Sequence, residues 1–226
     1  MILFADCGNT AVKCALGDGR VRLLPEPQRL SAWLNQRSAD ELVLLPGATR
    51  TSDIVRTWWT GRLRVIGHDL PLPDRGQYPG MGVDRIVAGL AVQGAAIVID
   101  AGTATTLTAW DASGRCAGGL ILAGPYAMIA GLAARAPALP APEPMAASAR
   151  AAQRDTNGAI AAAAGIGHPA MVAACVERLQ QETGIARIIA TGGGADELVR
   201  SGRLPQLEQK PWLVLDGMAT LSAMQA

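Results

Sequence analysis

Two short segments place an aspartate directly after an apolar run and a glycine two positions later. The first is ADCGNT at 5–10, which follows MILF, and the second is IDAGTAT at 99–105. Glycine tolerates positive φ and leaves space for a phosphate, and the amides and hydroxyls beside it can donate to phosphate oxygens. A single copy is typical of an ordinary Asx-turn. Two copies, 94 residues apart, favour a nucleotide-binding protein.

The polar groups of these turns predict which part of a nucleotide each would contact. Asn9, Thr10, Thr103 and Thr105 can donate to phosphate oxygens, whereas the carboxylate of Asp6 would repel them. We therefore expect Asp6 to act on Mg²⁺, through a bound water.

A third glycine-rich turn, ATGGGAD at 190–196, lies between a predicted strand and a predicted helix. Such a turn aims the N-terminus of a helix at an anion, although any strand–helix turn can use glycine. Neither G-x-x-x-x-G-K-[ST] nor a G-x-G-x-x-G after the first strand occurs in the sequence. This absence excludes a Walker-type P-loop and the dinucleotide-binding fingerprint.

A further candidate pair, Asp84 and Arg85, stands at a predicted helix start within QYPGMGVDRIVAG at 77–89. One interpretation is structural: Asp84 caps the helix and Arg85 forms a surface ion pair. The other is functional: Asp84 accepts the proton of a substrate hydroxyl, and the guanidinium of Arg85 binds a substrate carboxylate with two hydrogen bonds. The residues by themselves leave both open.

The elements that must position these residues form an internal repeat. Each half of the chain is predicted to run strand–motif–strand–turn–strand, followed by helices that alternate with strands. We therefore expect two similar α/β halves, 1–95 and 96–226, that face each other across a cleft between the two turns. Beyond the repeated core, we predict helices at 30–37 (N-cap Ser31), 51–61, 84–95 and across 156–183, strands at 41–47, 63–67 and 186–191, a mobile loop or helix end at 134–152, and a last strand and helix at 212–225.

The composition excludes several classes of protein. A net charge of +1 lacks the basic excess that nucleic-acid binding usually needs. The four cysteines do not cluster with one another or with the two histidines, His68 and His168, which we expect to be structural or at the surface. Reduced thiols in the cytoplasm follow as the simplest expectation. No signal peptide is evident, and the Ala-rich segment 158–176 is expected to be a buried helix rather than a membrane span.

Seven segments, taken together, resemble type III pantothenate kinase of the acetate-and-sugar-kinase/actin superfamily. They occur in the order of the family and are DCGNT at 6–10 with Lys13, GVDR at 82–85, DAGTATT at 100–106, GGLILAG at 118–124, TNGAI at 156–160, TGGGA at 191–195 and LVLDGM at 213–218. The resemblance implies two duplicated ribonuclease-H-like (actin-like) lobes, each a mixed five-stranded sheet flanked by helices. It also implies ATP-dependent phosphorylation of pantothenate to 4'-phosphopantothenate, the first step of coenzyme A biosynthesis.

The resemblance further implies roles for individual residues. Asp84 would be the proton acceptor, Asp100 would hold a monovalent cation (K⁺ or NH₄⁺), and Asp6 would stand near Mg²⁺. Thr156 would contact pantothenate from the partner subunit of a homodimer. The implied ATP-binding residues are Asp6, Cys7, Gly8, Asn9, Thr10, Ala11, Val12, Lys13 and Thr103, and the implied pantothenate-binding residues are Tyr78, Gly82, Val83, Asp84, Arg85 and Thr156.

The sequence departs from the family in the region expected to bind substrate. Arg75 stands where the family often has a substrate-facing tyrosine, and the nearest tyrosine is Tyr78. Ala123 replaces a proline before Gly124, and Ala136 stands where a threonine is usual. Two alternatives therefore remain open: a kinase of the same superfamily that acts on a sugar or another hydroxy acid, and a nucleotide-binding regulatory protein without catalysis.

Overall fold

The computed structural model describes residues 1–8, 11–17 and 39–225. Asn9, Thr10 and the predicted helix at 30–37 therefore lie outside the described residues. The chain divides into two units, which we describe separately: Met1–Gln93 with Trp212–Ala226, and Gly94–Pro211. The division falls close to the predicted boundary at 95/96, but the C-terminal segment belongs with the first unit.

The first unit contains a mixed sheet with the strand order β2-β1-β3-β4. β1 pairs antiparallel with β2 and parallel with β3, and β3 pairs parallel with β4. Alternate side chains of β1 and β3, such as Leu3, Ala5 and Leu44, form one apolar core. A fifth strand, predicted after the turn that begins at Gly17, falls outside the described residues. The elements in this part of the unit are β1 (Ile2–Cys7), β2 (Val12–Leu16), β3 (Glu41–Leu45), α1 (Thr49–Trp58), β4 (Arg62–Val65) and α2 (Val83–Leu90).

The second unit contains a five-stranded mixed sheet, as predicted, with the order β7-β6-β5-β8-β9. β5 pairs antiparallel with β6 and parallel with β8, and β8 pairs parallel with β9. The four strands β6-β5-β8-β9 thus repeat the directions of β2-β1-β3-β4. The short strand β9 was not predicted. The strands are β5 (Ala96–Ala101), β6 (Ala104–Trp110), β7 (Cys116–Ala123), β8 (Ile188–Thr191) and β9 (Leu207–Gln209).

Three helices belong to the second unit: α3 (Pro125–Arg135), α4 (Thr156–Thr183) and α5 (Ala195–Arg200). The sequence pattern had not predicted α3. The predicted helices across 156–183 are one continuous helix, capped by Asp155 at its start and by Gly184 in the left-handed conformation at its end. The segment 136–155 has neither helix nor strand and packs on α4, where the N–H of Met145 donates to the carbonyl of Ala161 at 3.0 Å.

The helix α4 is long and apolar enough, by length and composition, to cross a membrane. However, 44% of its most apolar window is buried inside the unit, and core helices of soluble proteins pass the same test. Val172, Val176 and Leu179 pack in one cluster with Ile99 and Leu107 of the sheet. Its packing is therefore that of a core helix.

The C-terminal segment forms a single helix, α6 (Leu213–Met224). The prediction of a strand followed by a helix at 212–225 is wrong. A run of apolar residues such as WLVL fits a buried strand or a buried helix equally well. Here Leu213, Val214 and Leu221 are buried on a helix that packs against α2, where a Cβ on Gly217 would lie 1.9 Å from the carbonyl oxygen of Val87.

Candidate active site

The first aspartate turn joins β1 to β2, as the apolar run and the glycine predict. Asp6 pairs in register with Lys13, and Cys7 pairs with Val12. The Nζ of Lys13 lies 4.0 Å from an Oδ of Asp6, and both side chains are mostly buried. The turn therefore carries an acid and a base in contact. Its tip residues Asn9 and Thr10, predicted to bind phosphate, lie outside the described residues.

The connection between β3 and α1 supports this turn from behind. A Cβ on Gly47 would lie 2.1 Å from the carbonyl oxygen of Cys7, so only glycine lets the two backbones approach this closely. The N–H of Ala48 donates to the same carbonyl at 3.1 Å. The hydroxyl of the buried Thr51 lies 2.9 Å from the carbonyl oxygen of Gly8 and 3.0 Å from that of Ala48. The backbone of the turn is thus held at Cys7 and Gly8.

The thiols next to this turn are part of the core rather than reactive groups. Cys7 and Cys14 are both fully buried. Burial raises the pKa of Cys7 to about 12, with a smaller opposing effect from Ser52, and burial also raises the pKa of Cys14. A thiol with so high a pKa is protonated at neutral pH and is a poor nucleophile. The predicted contact of Cys7 with ATP therefore concerns its backbone rather than its side chain.

The second aspartate turn joins β5 to β6 and has a closely related frame. Asp100 pairs in register with Thr106 on one side and with Thr191 on the other. The N–H of Gly194 donates to the carbonyl of Ala101 at 2.8 Å, and that of Gly124 donates to the carbonyl of Thr103 at 2.9 Å. The side chain of Thr103 is exposed, as a contact with ATP would require.

The glycine turn after β8 creates space beside Asp100. Gly192 has a φ of +87°, a conformation that residues with side chains rarely adopt. A Cβ at this position would lie 2.4 Å from an Oδ of Asp100 and 2.6 Å from the carbonyl oxygen of Ala101. The glycine therefore lets the turn approach the Asp100 carboxylate and the Ala101 carbonyl closely. The buried hydroxyl of Thr191, which is in register with Asp100, has no hydrogen-bond partner among the described residues. Such an oxygen-rich cradle fits a hard cation.

The third group of predicted residues lies at the start of α2. Gly82 is the N-cap, and an Oδ of Asp84 accepts the N–H of Arg85 at 2.9 Å. A Cβ on Gly82 would lie 2.4 Å from that Oδ, so glycine leaves room for the carboxylate. Asp84 is therefore not the N-cap that the structural interpretation made it, although its carboxylate accepts an N–H of the first helical turn. The residue is nevertheless exposed and accessible to a ligand.

Arg85 is buried, so the interpretation that places it at the surface is wrong. Only 5% of the residue is exposed. Its Nη1 donates to the hydroxyl of Tyr78 at 2.6 Å, and its guanidinium carbon lies 5.8 Å from the centre of the Tyr78 ring. Tyr78 itself is 47% exposed. Arg75 instead donates to the carbonyl of Gly89 at 3.2 Å and so ties the preceding loop to α2.

The structure thus gathers the predicted residues into separate groups. Lys13 faces Asp6, Tyr78 contacts Arg85 next to Asp84, and Thr103 belongs to the turn of Asp100. Thr156 is the exposed first residue of α4. Among the described residues, no group of three or more histidines, cysteines and acids could hold a metal ion.

Some functional groups differ from the sequence interpretation. Thr105, a predicted phosphate donor, is fully buried and lies 2.8 Å from the ring of His168, so it does not face a ligand. Thr51, Gly47 and Gly124 support the two turns but were not singled out. Both glycines had a local signal, since a glycine at the end of a strand often marks a close backbone approach; Gly124 directly follows β7, and Gly47 follows β3 after one residue.

The two mixed sheets with flanking helices define an α/β fold that is shared with known proteins. A Campylobacter jejuni protein assigned to the Baf family of transcriptional activators has a TM-score of 0.65 at 18% identity, over 99% of this chain and 98% of that one. A polyphosphate/ATP-glucomannokinase from Arthrobacter has a TM-score of 0.50 at 15% identity, over 100% and 99%. At these identities the likeness is one of fold alone.

The sequence itself is more specific. Residues 2–178 match the family model described as type III pantothenate kinase. A type III pantothenate kinase from Rhizorhabdus wittichii is 30% identical over 90% of this chain and 91% of its own length. Another, from Rubrobacter xylanophilus, is 34% identical over 70% of this chain and 64% of its own length. The chain belongs to the type III pantothenate kinase family, and therefore to a class of enzymes.

Proposed function

We propose that the protein transfers the γ-phosphoryl group of ATP to the terminal hydroxyl of pantothenate, which is the first step of coenzyme A biosynthesis. The observation that carries this proposal is the group at the start of α2, in a chain of this family. An exposed carboxylate, Asp84, stands directly beside a buried arginine, Arg85, that is held by Tyr78.

Each of these side chains has a distinct part in the proposed reaction. Arg85 binds the carboxylate of pantothenate, because its guanidinium offers paired donors and is already oriented by Tyr78. Asp84 accepts the proton of the hydroxyl as the oxygen attacks the γ-phosphorus and ADP leaves. Gly82 and Val83 line the same pocket. Positioning of this kind accounts for much of phosphoryl-transfer catalysis, and a positioned base typically contributes about 10²–10⁴-fold.

The two aspartate turns bind ATP and its cations in this proposal. The first turn, from Asp6 to Lys13, binds the phosphates, and Thr103 contacts the nucleotide from the second. Asp6 acts on Mg²⁺, and the cradle of Asp100, the Ala101 carbonyl and Thr191 fits K⁺ or NH₄⁺. Bound cations supply neutralisation of phosphate charge. The protein's own contribution is the Lys13 ammonium, which adds positive charge at a fixed place.

We also propose a homodimer of duplicated actin-like lobes in the cytoplasm, with neither nucleic acid nor membrane as a partner. The recurring strand directions in the two sheets support duplication. An apolar groove of about 270 Å³ between α3 and α4 supports a subunit interface, because it borders exposed Leu132. Thr156 begins the same helix α4 and is the residue proposed to reach the partner's pantothenate.

Replacing Asp84 by Asn tests the assignment of the base. The amide keeps the size of the side chain but cannot accept the proton, so we expect kcat to fall by about 10²–10⁴-fold while ATP binding is retained. Formation of phosphopantothenate would be followed with ATP, Mg²⁺ and pantothenate, in the presence and absence of K⁺. Asp53→Asn, at an exposed position of α1, is the matched control and should leave kcat unchanged.

Three results would contradict the proposal. Wild-type turnover of pantothenate with an equally active Asp84→Asn variant would show that another group is the base. Phosphorylation of a sugar but not of pantothenate would assign the enzyme to another substrate. A folded protein that binds ATP without any phosphoryl transfer would instead favour a regulatory role.

A further inference from the structure

A buried polar pair in the second unit has no part in the proposed reaction. Thr105 is 0% exposed and His168 is 3% exposed, and the Oγ1 of one lies 2.8 Å from the Nε2 of the other. The two share a hydrogen bond whose donor depends on the ring tautomer. Burial lowers the pKa of His168, so the imidazole is neutral at neutral pH. The pair joins the start of β6 to the middle of α4.

The surroundings of this pair are apolar. Side chains alternate along β6, so Thr105 shares a face with Leu107 and Ala109, and this face packs on Val172 and Val176 of α4. Replacing both partners of such a buried bond by apolar groups of the same shape is often neutral or stabilising. The net stability gained from such a pair is therefore small. A hydrogen bond adds direction to a contact, and here it fixes the side chain of Thr105 relative to α4.

Thr105 lies close in sequence to the second aspartate turn, so fixing its side chain also restrains this turn. It lies two residues after Thr103, in the strand that leaves the second aspartate turn. Backbone bonds from Gly194 and Gly124 already tether this turn at Ala101 and Thr103. Gly194 and Gly124 are the N-caps of α5 and α3. The hydrogen bond between the side chains of His168 and Thr105 therefore attaches the strand after this turn to a third helix, α4.

The helix contributes a second observation. Pro169 follows His168 inside α4. A proline has no N–H, so the carbonyl of Gly165 cannot receive its usual helical bond, and a helix is locally weaker at such a point. The hydrogen bond to Thr105 anchors α4 to the sheet at this weakened turn.

We propose that His168 is a positioning residue for the nucleotide. Through Thr105 it sets the position of the turn that carries Thr103. The inference rests on the proposed function in one respect, namely that this turn binds ATP.

The test compares variants of the pair by ATP binding and by steady-state kinetics. Thr105→Val removes the hydroxyl with little change of shape. We expect the Kd and KM for ATP to rise by about 5–10-fold, the effect of losing one hydrogen bond. The KM for pantothenate should stay within about twofold, because the proposed effect is confined to the turn that binds ATP. A general loss of folded protein would instead affect both substrates alike. Thr105→Ser keeps the hydroxyl and should therefore bind ATP as tightly as the wild type.

Two further variants separate positioning from packing. His168→Leu should raise the Kd for ATP as Thr105→Val does. The double variant should have a Kd no higher than that of the single variant that binds ATP less tightly, because both substitutions remove the same hydrogen bond. Thr108→Val is the matched control. It removes another buried hydroxyl from β6, on the opposite face, and should leave the Kd for ATP unchanged.

The comparison of ATP binding tests the role of His168 even if the protein phosphorylates a substrate other than pantothenate. Isothermal titration with ATP and Mg²⁺, without pantothenate, measures the nucleotide alone. If Thr105→Val folds and binds ATP as tightly as the wild type, or Thr108→Val weakens ATP equally, His168 is not a positioning residue. If the wild type binds ATP but does not phosphorylate pantothenate, the proposed function fails and this comparison still decides. A folded wild type that binds no ATP would overturn both.

Discussion

The turn after β1 and the turn after β5 share a backbone frame and differ in the side chains around the acid. In each turn, the carbonyl of the residue after the aspartate accepts an N–H from the next strand–helix connection. Cys7 accepts from Ala48 in the first unit, and Ala101 accepts from Gly194 in the second. In each, a glycine of that connection makes the close approach possible. The first acid, however, is in register with Lys13, and the second with Thr106.

This difference shows how one backbone device can serve two electrostatic purposes. The first acid has a lysine beside it, which in the proposed reaction would contact phosphate. The second turn has hydroxyl and carbonyl oxygens around its acid, and in the proposed reaction these would hold a cation and contact the nucleotide. The frame is therefore the constant feature, and the two turns differ in the residue opposite the acid.

The largest expected effect separates the turn that has a lysine beside its acid from the turn that has a threonine there. Lys13→Gln should lower kcat/KM for ATP by roughly 10- to 150-fold, because it removes a charge-assisted contact. Thr103→Ala removes a neutral contact and should lower it by roughly 2- to 10-fold. Steady-state kinetics with varied ATP measures both. Lys210→Gln, at the other lysine of the chain, is the control, and equal losses from Lys13→Gln and Thr103→Ala would break the comparison.

The shared frame is tested by filling the two close approaches. Gly47→Ala and Gly192→Ala should each lower the free energy of unfolding by roughly 1–3 kcal/mol, since a Cβ would collide with backbone oxygen. Gly192→Ala carries the additional strain of its positive φ. Thermal unfolding should show a fall of about 2–4 °C per kcal/mol. Gly193 has open space around it, so Gly193→Ala is the control; a stable Gly47→Ala variant would argue against a common frame.

The smallest effect concerns the residue after the acid, which is Cys7 in one turn and Ala101 in the other. The folded-state pKa of Cys7, about 12, lies above its unfolded value of 9.0. The unfolded chain therefore ionises first, and stability that is complete below pH 9 is lost as the pH rises towards 12. Urea unfolding at about pH 8 and about pH 10 should show a smaller loss for Cys7→Ala than for the wild type. Identical losses would mean that Cys7 does not contribute.

Local patterns predicted the parts of this frame that depend on neighbours in sequence. The apolar runs before Asp6 and Asp100 predicted two buried strands, and the glycines predicted the turns that follow. The helix α3 lacks such a pattern, because Ile129 is the one buried residue of this described helix. The proline at its first position is nevertheless a known signal for the start of a helix.

The supports of the site depend on contacts that are distant in sequence. Thr51 reaches Gly8 across 43 residues, and His168 reaches Thr105 across 63. Periodicity shows that such residues are buried or helical, but it contains no information on which distant group they meet. The same limit applies to Arg85, whose position in a helix was predicted but whose burial against Tyr78 was not.

The packing of α6 on α2 also has a consequence for how the protein is made. The first unit is discontinuous, so its last helix leaves the ribosome only after the whole second unit has been synthesised. Until then α2, which carries Asp84 and Arg85, lacks the surface around Gly217 against which it packs. At about 5–20 residues per second, synthesis of the second unit, Gly94–Pro211, takes roughly 6–24 s, and α2 lacks this surface throughout. A nascent chain therefore completes the packing of its proposed catalytic helix only after the second unit has been synthesised.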